Sequence, residues 1–200
     1  TDPQAVFNNW SRIGETGQWS VTSYNGYNVI YNAENSDGVT GFYAPDTGDI
    51  SDMTLEYDFM SADSDNDFVG VVLRLNVDDD KHGTPKPLDT KVSGYWYWET
   101  HNENNRYDYH WQDISGLYKL NSARLPYSDL RTNNSGLQTL YSSGGSAFNH
   151  SDSWVNQSGI KALKVGTQYG WTKMNQWIHY KYEMKGNTFS VWRDGSAVCP

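Results

Sequence analysis

The chain has 200 residues, a formal net charge of -9 and a pI near 4.8, so nucleic acids and anionic bilayers would repel it, and no apolar run approaches the ~20 residues of a membrane-spanning helix. Nine Trp and fifteen Tyr are scattered among 18 Gly and many Asn, Ser and Asp residues, which favours short strands joined by polar turns over helices. The single cysteine, Cys199, excludes an internal disulfide. That is common in the cytosol, but bacterial surface modules use calcium where other extracellular domains use disulfides, and the acidic balance suits that alternative.

Taken in chain order, residues 19–24 (WSVTSY), 27–33 (YNVIYNA), 53–60 (MTLEYDFM), 68–77 (FVGVVLRLNV), 94–100 (GYWYWET), 106–114 (RYDYHWQDI), 177–185 (WIHYKYEMK) and 188–194 (TFSVWRD) alternate as strands with one buried face should. Asn25-Gly26, Asp37-Gly38, Thr47-Gly48-Asp49, Gly186-Asn187 and Asp194-Gly195 separate them with residues that tolerate positive φ. Residues 182–198 (YEMKGNTFSVWRDGSAV) read as a hairpin around Gly186-Asn187. Residues 115–170 are rich in Ser, Asn and Gly and only weakly periodic, with a short helix starting near Ser151 or Asp152. The expectation is one all-β domain over residues 1–200: a two-sheet antiparallel jelly-roll or concanavalin-like sandwich with a long irregular loop region. No leader sequence opens the chain at Thr1, and Cys199-Pro200 ends it abruptly, so we expect a monomeric module of a larger protein.

Two acidic groups flank the strand at 68–77. Asp63, Asp65 and Asp67 precede it, and Asp78, Asp79 and Asp80 follow it. The first group resembles the start of an EF-hand loop, but Phe68 stands where that loop needs Gly and Arg74 where it needs Glu. Carboxylates held this close repel one another unless a cation sits among them. Ca2+ fits, because it accepts six to eight oxygen ligands in loose geometry. Zinc does not, given one Cys and five His without paired spacing. The alternative is a solvated acidic loop without metal, and at Asp78–Asp80 the lysines Lys81 and Lys86 offer neutralisation of another kind.

Residues 94–118 concentrate aromatic side chains. Strand alternation sends Tyr95 and Tyr97 to one face and Trp96 and Trp98 to the other, so one set belongs to the core. The other would line a binding surface with nearby polar groups. The candidate ligand-binding residues are Tyr95, Trp98, His101, Asp108, Trp111 and Asp113, and they suit a sugar ring or a peptide side chain equally.

The stretch SDNDFVGVVLRL, an acidic loop followed by an aromatic, a Gly and an apolar strand, resembles the thrombospondin C-terminal domain and its bacterial relatives. The opening VFNNWSRIGETGQWSV and the late ALKVGTQYGWTKMNQWIHYKYEMKGNTFSVWRDG are similar to the same family. This resemblance implies an L-type-lectin-like jelly roll that binds calcium, of the kind found in bacterial RTX adhesins. One class of those domains grips the C-terminal carboxylate of a peptide through the metal, which here would fall on Asp63, Asp65 and Asp67. The insertion at 78–94 departs from the pattern. The implied role is extracellular: cell-surface adhesion to a peptide or glycan on another cell.

Enzyme readings are weaker. Glu56 and Asp58 give the E-x-D part of a jelly-roll hydrolase signature, but its third acid would fall at Ser61. Glu99 with Asp108 or Asp113 could form a carboxylate pair. Ser, His and Asp within FNHSDSW have no strand-turn-helix elbow around them. We therefore expect a binding module and no catalytic residues.

Overall fold

The computed structural model describes residues 2–14, 19–33, 40–44, 51–62, 68–77, 91–100, 116–124, 159–165 and 174–199. Among them lie one helix, α1 (Pro3–Asn9), and the strands β1 (Ser11–Gly14), β2 (Trp19–Tyr24), β3 (Tyr27–Asn32), β4 (Thr40–Tyr43), β5 (Met53–Phe59), β6 (Phe68–Val77), β7 (Lys91–Thr100), β8 (Gly116–Arg124), β9 (Ile160–Val165), β10 (Ile178–Lys185), β11 (Thr188–Arg193) and β12 (Ser196–Cys199). The sequence was read as one domain. Its residues group into two compact units, Thr1–Gly48 with Val77–Val92 and Ser122–Ser143, and Asp49–Asn76 with Ser93–Asn121 and Gly144–Pro200.

In the first unit, the Asp2 carboxylate caps α1 by accepting the Gln4 N–H at 3.0 Å, and Pro3 takes the first helical turn, where no amide hydrogen is needed. The antiparallel pair β1 and β4 runs from Ser11 opposite Tyr43 to Gly14 opposite Thr40. The hairpin β2–β3 turns at Asn25 (φ 50°) and Gly26 (φ 83°), the left-handed pair that a two-residue turn of type I′ demands. Its register runs from Trp19 opposite Asn32 to Tyr24 opposite Tyr27. Trp19 meets Phe42 edge-on at 5.1 Å, Phe42 meets Phe7 at 6.0 Å, and the Arg12 guanidinium lies 4.6 Å over the Phe7 ring. Trp19, Val21, Ile30 and Asn32 are the partly buried residues of one hairpin face, while on the other Ser20, Thr22, Tyr24, Tyr27 and Tyr31 are exposed around a partly buried Val29.

The second unit holds two four-stranded antiparallel sheets, ordered β12-β11-β10-β5 and β6-β7-β8-β9. This is the all-β, two-sheet sandwich of jelly-roll type that the sequence led us to expect. Each sheet is largely a meander, and the chain changes sheets between β5 and β6 and again between β9 and β10. β10 alternates buried and accessible positions along its length, as the sequence pattern requires. Its inward residues Ile178, Tyr180, Tyr182 and Met184 form one core with Phe189, Val191 and Cys199 of its own sheet and with Leu73, Tyr97 and Leu117 of the other. Burying each of these large side chains contributes about 1.5–3 kcal/mol, which makes this core the main source of the unit's stability.

One part of the sequence reading changes. The stretch 115–170 is not irregular throughout, because β8 and β9 lie within it. Their alternation is broken by a register shift between Leu117 and Tyr118 and by Ser122 at φ 48°, so a strict period of two does not find them. The segment 106–114 and the helix expected near residue 151 lie outside the described residues.

Candidate functional site

Strand direction decides which segments share an end of the sandwich. β5 runs towards Phe59, which pairs with Ile178 at the start of β10, and the end of β11 at Arg193 pairs with Ser196 at the start of β12. In the other sheet β6 starts, β7 finishes, β8 starts and β9 finishes at this same end, since Gly116 opposes Val165 and Gly70 lies beside Trp98. A Cβ at Gly70 would collide with the Tyr97 carbonyl oxygen and the Trp98 Cβ, so only glycine permits this close approach.

The residues proposed as ligands follow from these anchor points. Asp63, Asp65 and Asp67 lie outside the described residues, in the segment between Ala62 and Phe68. Just before it, the Ser61 carbonyl accepts the Asn175 N–H at 2.8 Å. His101, Asp108, Trp111 and Asp113 also lie outside the described residues, in the connection from β7 to β8. Both connections therefore join the sandwich at one end. Asp78, Asp79 and Asp80, again outside the described residues, follow Val77 at the far end of β6. Ten strand residues separate the attachment points, on the order of 30 Å. Among the described residues, no cluster of three or more His, Cys, Asp or Glu side chains could hold a metal.

Tyr95 and Trp98 are described, and the structure buries both faces of β7. Tyr95 is partly buried against the core, on the face of Tyr97, with the Lys119 ammonium 6.0 Å from its ring centre. Trp98 is 3% exposed, stacked on Trp96 at 5.2 Å and 9° and tilted against Tyr118 at 6.3 Å. The sequence had left one of these faces open for a ligand. Instead the paired indoles and Tyr118 shield one another, so the Trp98 ring forms part of the packing beneath the shared end.

Sequence reasoning missed the most elaborate polar arrangement at this end. Glu99 was weighed only as half of an accessible carboxylate pair with Asp108 or Asp113, yet it is 0% exposed. Its Oε1 accepts the Tyr97 hydroxyl at 2.5 Å, and its Oε2 accepts the Tyr180 hydroxyl at 2.7 Å and an Arg193 N–H at 3.1 Å. Burial pushes the Glu99 carboxyl above its ordinary 4.5, while Arg193 and the two tyrosines pull it back. Burial also holds the Tyr97 and Tyr180 hydroxyls well above their ordinary range, with Glu99 adding to the rise. The signal was present in the phase of the strand: Tyr95, Tyr97 and Glu99 share one face, so a buried Tyr97 implies a buried Glu99. Charge-assisted bonds from β10 and β11 thus fix the last turn of pleat in β7, and they give the connections above it a rigid base.

Glu56 and Asp58 lie on the outward face of β5, and both approach His179 of β10. Asp58 Oδ1 is 2.8 Å from its Nδ1, and Glu56 Oε2 is 3.7 Å from its Nε2. The His179 amide donates to Asp194 Oδ1 at 3.0 Å. These exposed groups form a cross-strand polar patch centred on His179. No family model matches the chain. Neither the curated proteins nor the solved structures hold a significant match to it.

Proposed function

We propose that this chain is a calcium-dependent ligand-binding module of a bacterial surface adhesin, which binds a peptide on another cell. Asp63, Asp65 and Asp67 would hold the Ca2+, and three carboxylates at alternate positions form the hard oxygen donor set that this ion takes. Bound calcium would neutralise the carboxylates and offer an open coordination position to a ligand carboxylate. The observation that supports this reading is that the acidic connection and the connection bearing His101, Asp108, Trp111 and Asp113 both join one end of the sandwich, above the Glu99 network. Asp78, Asp79 and Asp80 would be a separate, peripheral acidic group, because they attach at the opposite end of β6.

Calcium titration followed by thermal melting tests the metal. A ion bound only by the folded chain at a hundred times its Kd adds about 2.7 kcal/mol, and Asp63→Asn with Asp65→Asn should abolish that gain. An unchanged melting temperature and unchanged binding after EDTA would end the calcium reading. Peptide arrays with free and amidated C termini, read with and without Ca2+, test the ligand: the free carboxylate should be required. Calcium-dependent capture of glycans instead would favour a lectin, and release of sugar fragments from a polysaccharide would favour a hydrolase or lyase.

A further inference from the structure

The β2–β3 hairpin carries a second surface, unrelated to the acidic segment. Its register places Tyr24 opposite Tyr27, Thr22 opposite Val29 and Ser20 opposite Tyr31, so these six side chains share one face. The tyrosines are its exposed members of note: Tyr27 is 72% exposed, Tyr31 51% and Tyr24 39%. Large aromatic rings turned to water cost free energy unless something covers them. The opposite face, with Trp19, Val21 and Ile30, is the one that faces the aromatic cluster of its unit.

Three properties of this face limit what could cover it. None of the six residues is charged, although the whole chain carries -9, so an uncharged partner meets neither repulsion nor the cost of stripping water from an ion. The three rings together expose roughly 300 Å2, taking a tyrosine side chain as about 200 Å2. A stable protein interface needs about 800 Å2 per partner, so a second copy of the chain is too large a demand for this patch. Every exposed residue on it is amphipathic or polar: flat rings with hydroxyl tips, and the Ser20 and Thr22 hydroxyls beside them. Such a surface offers C–H stacking together with hydrogen bonds, and that combination matches a pyranose ring. Tyr27 and Tyr31 are four residues apart on one strand, about 13 Å, which spans an oligosaccharide and not a single sugar.

We infer that the Tyr24, Tyr27 and Tyr31 face of the β2–β3 hairpin is a calcium-independent binding platform for an uncharged oligosaccharide. The test uses the whole chain and linear neutral oligosaccharides of glucose, xylose, mannose and galactose, with calorimetry for affinity and saturation-transfer NMR for the sugar protons in contact. At least one of these sugars should bind, and its binding should persist in EDTA and in the Asp63→Asn/Asp65→Asn variant. Tyr27→Ala and Tyr31→Ala should each weaken it about tenfold, the scale of one lost aromatic stacking partner. Tyr27→Phe and Tyr31→Phe, which keep the ring, should lose far less. The inference is overturned if none of these sugars binds, if binding needs calcium, or if the alanine variants bind as tightly as the parent. It is also overturned if sedimentation shows that the tyrosines hold two copies of the chain together. Loss of calcium-dependent peptide binding would leave this platform standing, so the two proposals fail separately.

Discussion

The same side chain does opposite work in the two units. In the hairpin β2–β3, Tyr24, Tyr27 and Tyr31 stand in water on a two-stranded ribbon. In the sandwich, Tyr97, Tyr180 and Tyr182 are fully buried: Tyr182 stacks on Tyr180 and Tyr57, and Tyr97 stacks on Phe189 and meets Tyr182 edge-on. A tyrosine can be buried only where its hydroxyl finds a partner. In the sandwich the partners exist, as Tyr97 and Tyr180 donate to Glu99 and Tyr57 shares a 2.9 Å hydrogen bond with Tyr182. A second sheet supplies the cover and, for Tyr180, the acceptor, while Tyr97 finds Glu99 on its own strand and Tyr182 finds Tyr57 on the neighbouring one. Only one face of the hairpin meets its unit's aromatic cluster, and its tyrosines sit on the other face.

Substitutions can break this contrast, beginning with the largest expected effect. Tyr180→Ala should cost about 3–5 kcal/mol, because it leaves a cavity in the core and removes a donor from Glu99; denaturant unfolding measures it, and a cost near zero would mean that the network is not formed. Arg193→Met should cost about 3 kcal/mol at neutral pH by leaving the Glu99 charge buried without its cation. That penalty should shrink in acid, where the carboxyl is protonated.

The pH dependence sharpens the point. Glu99 titrates above 4.5 in the folded chain, so the folded state binds its proton more tightly than the unfolded state does. Its contribution is complete below pH 4.5 and is lost as pH rises through the folded value. Glu99→Gln should therefore flatten that part of the stability-pH curve, and a curve of unchanged slope would show that Glu99 titrates as it does in the unfolded chain. The smallest effect belongs to the hairpin. Tyr27→Ala and Tyr31→Ala should change stability by no more than about 0.5 kcal/mol, and a loss as large as that of Tyr180→Ala would show that the exposed face is in fact covered.

Local pattern and turn chemistry fixed much of the architecture in advance. β2 and β6 begin and end where the alternation does, and β3, β5, β10 and β11 do so within a residue or so. Asn25-Gly26 and Asp194-Gly195 take the positive φ values that their identities allow. The helix at Pro3–Asn9 was legible in Asp2-Pro3 but was not read. Most of the candidate site depends on the acidic and aromatic connections, whose residues lie outside the described structure, so there the sequence chemistry stands by itself. For Tyr95 and Trp98 the structure adds that both sides of β7 are covered.

By itself the sequence determined β2, β3, β5, β6, β10 and β11, the turns at Asn25-Gly26 and Asp194-Gly195, and that acidic groups bound one long strand, because these follow from backbone sterics and a period of two, whereas β1, β4, β8 and β9 were not read. It could not say which face of a strand looks inward, since alternation is symmetric under exchange of the faces. Only the stacking of one sheet on another decided that Glu99 would be buried against Tyr97, Tyr180 and Arg193. Tyr27 and Tyr31 stay on the outer face of their own two-stranded hairpin, because burial depends on what lies across from a side chain in space and not on its neighbours in the chain.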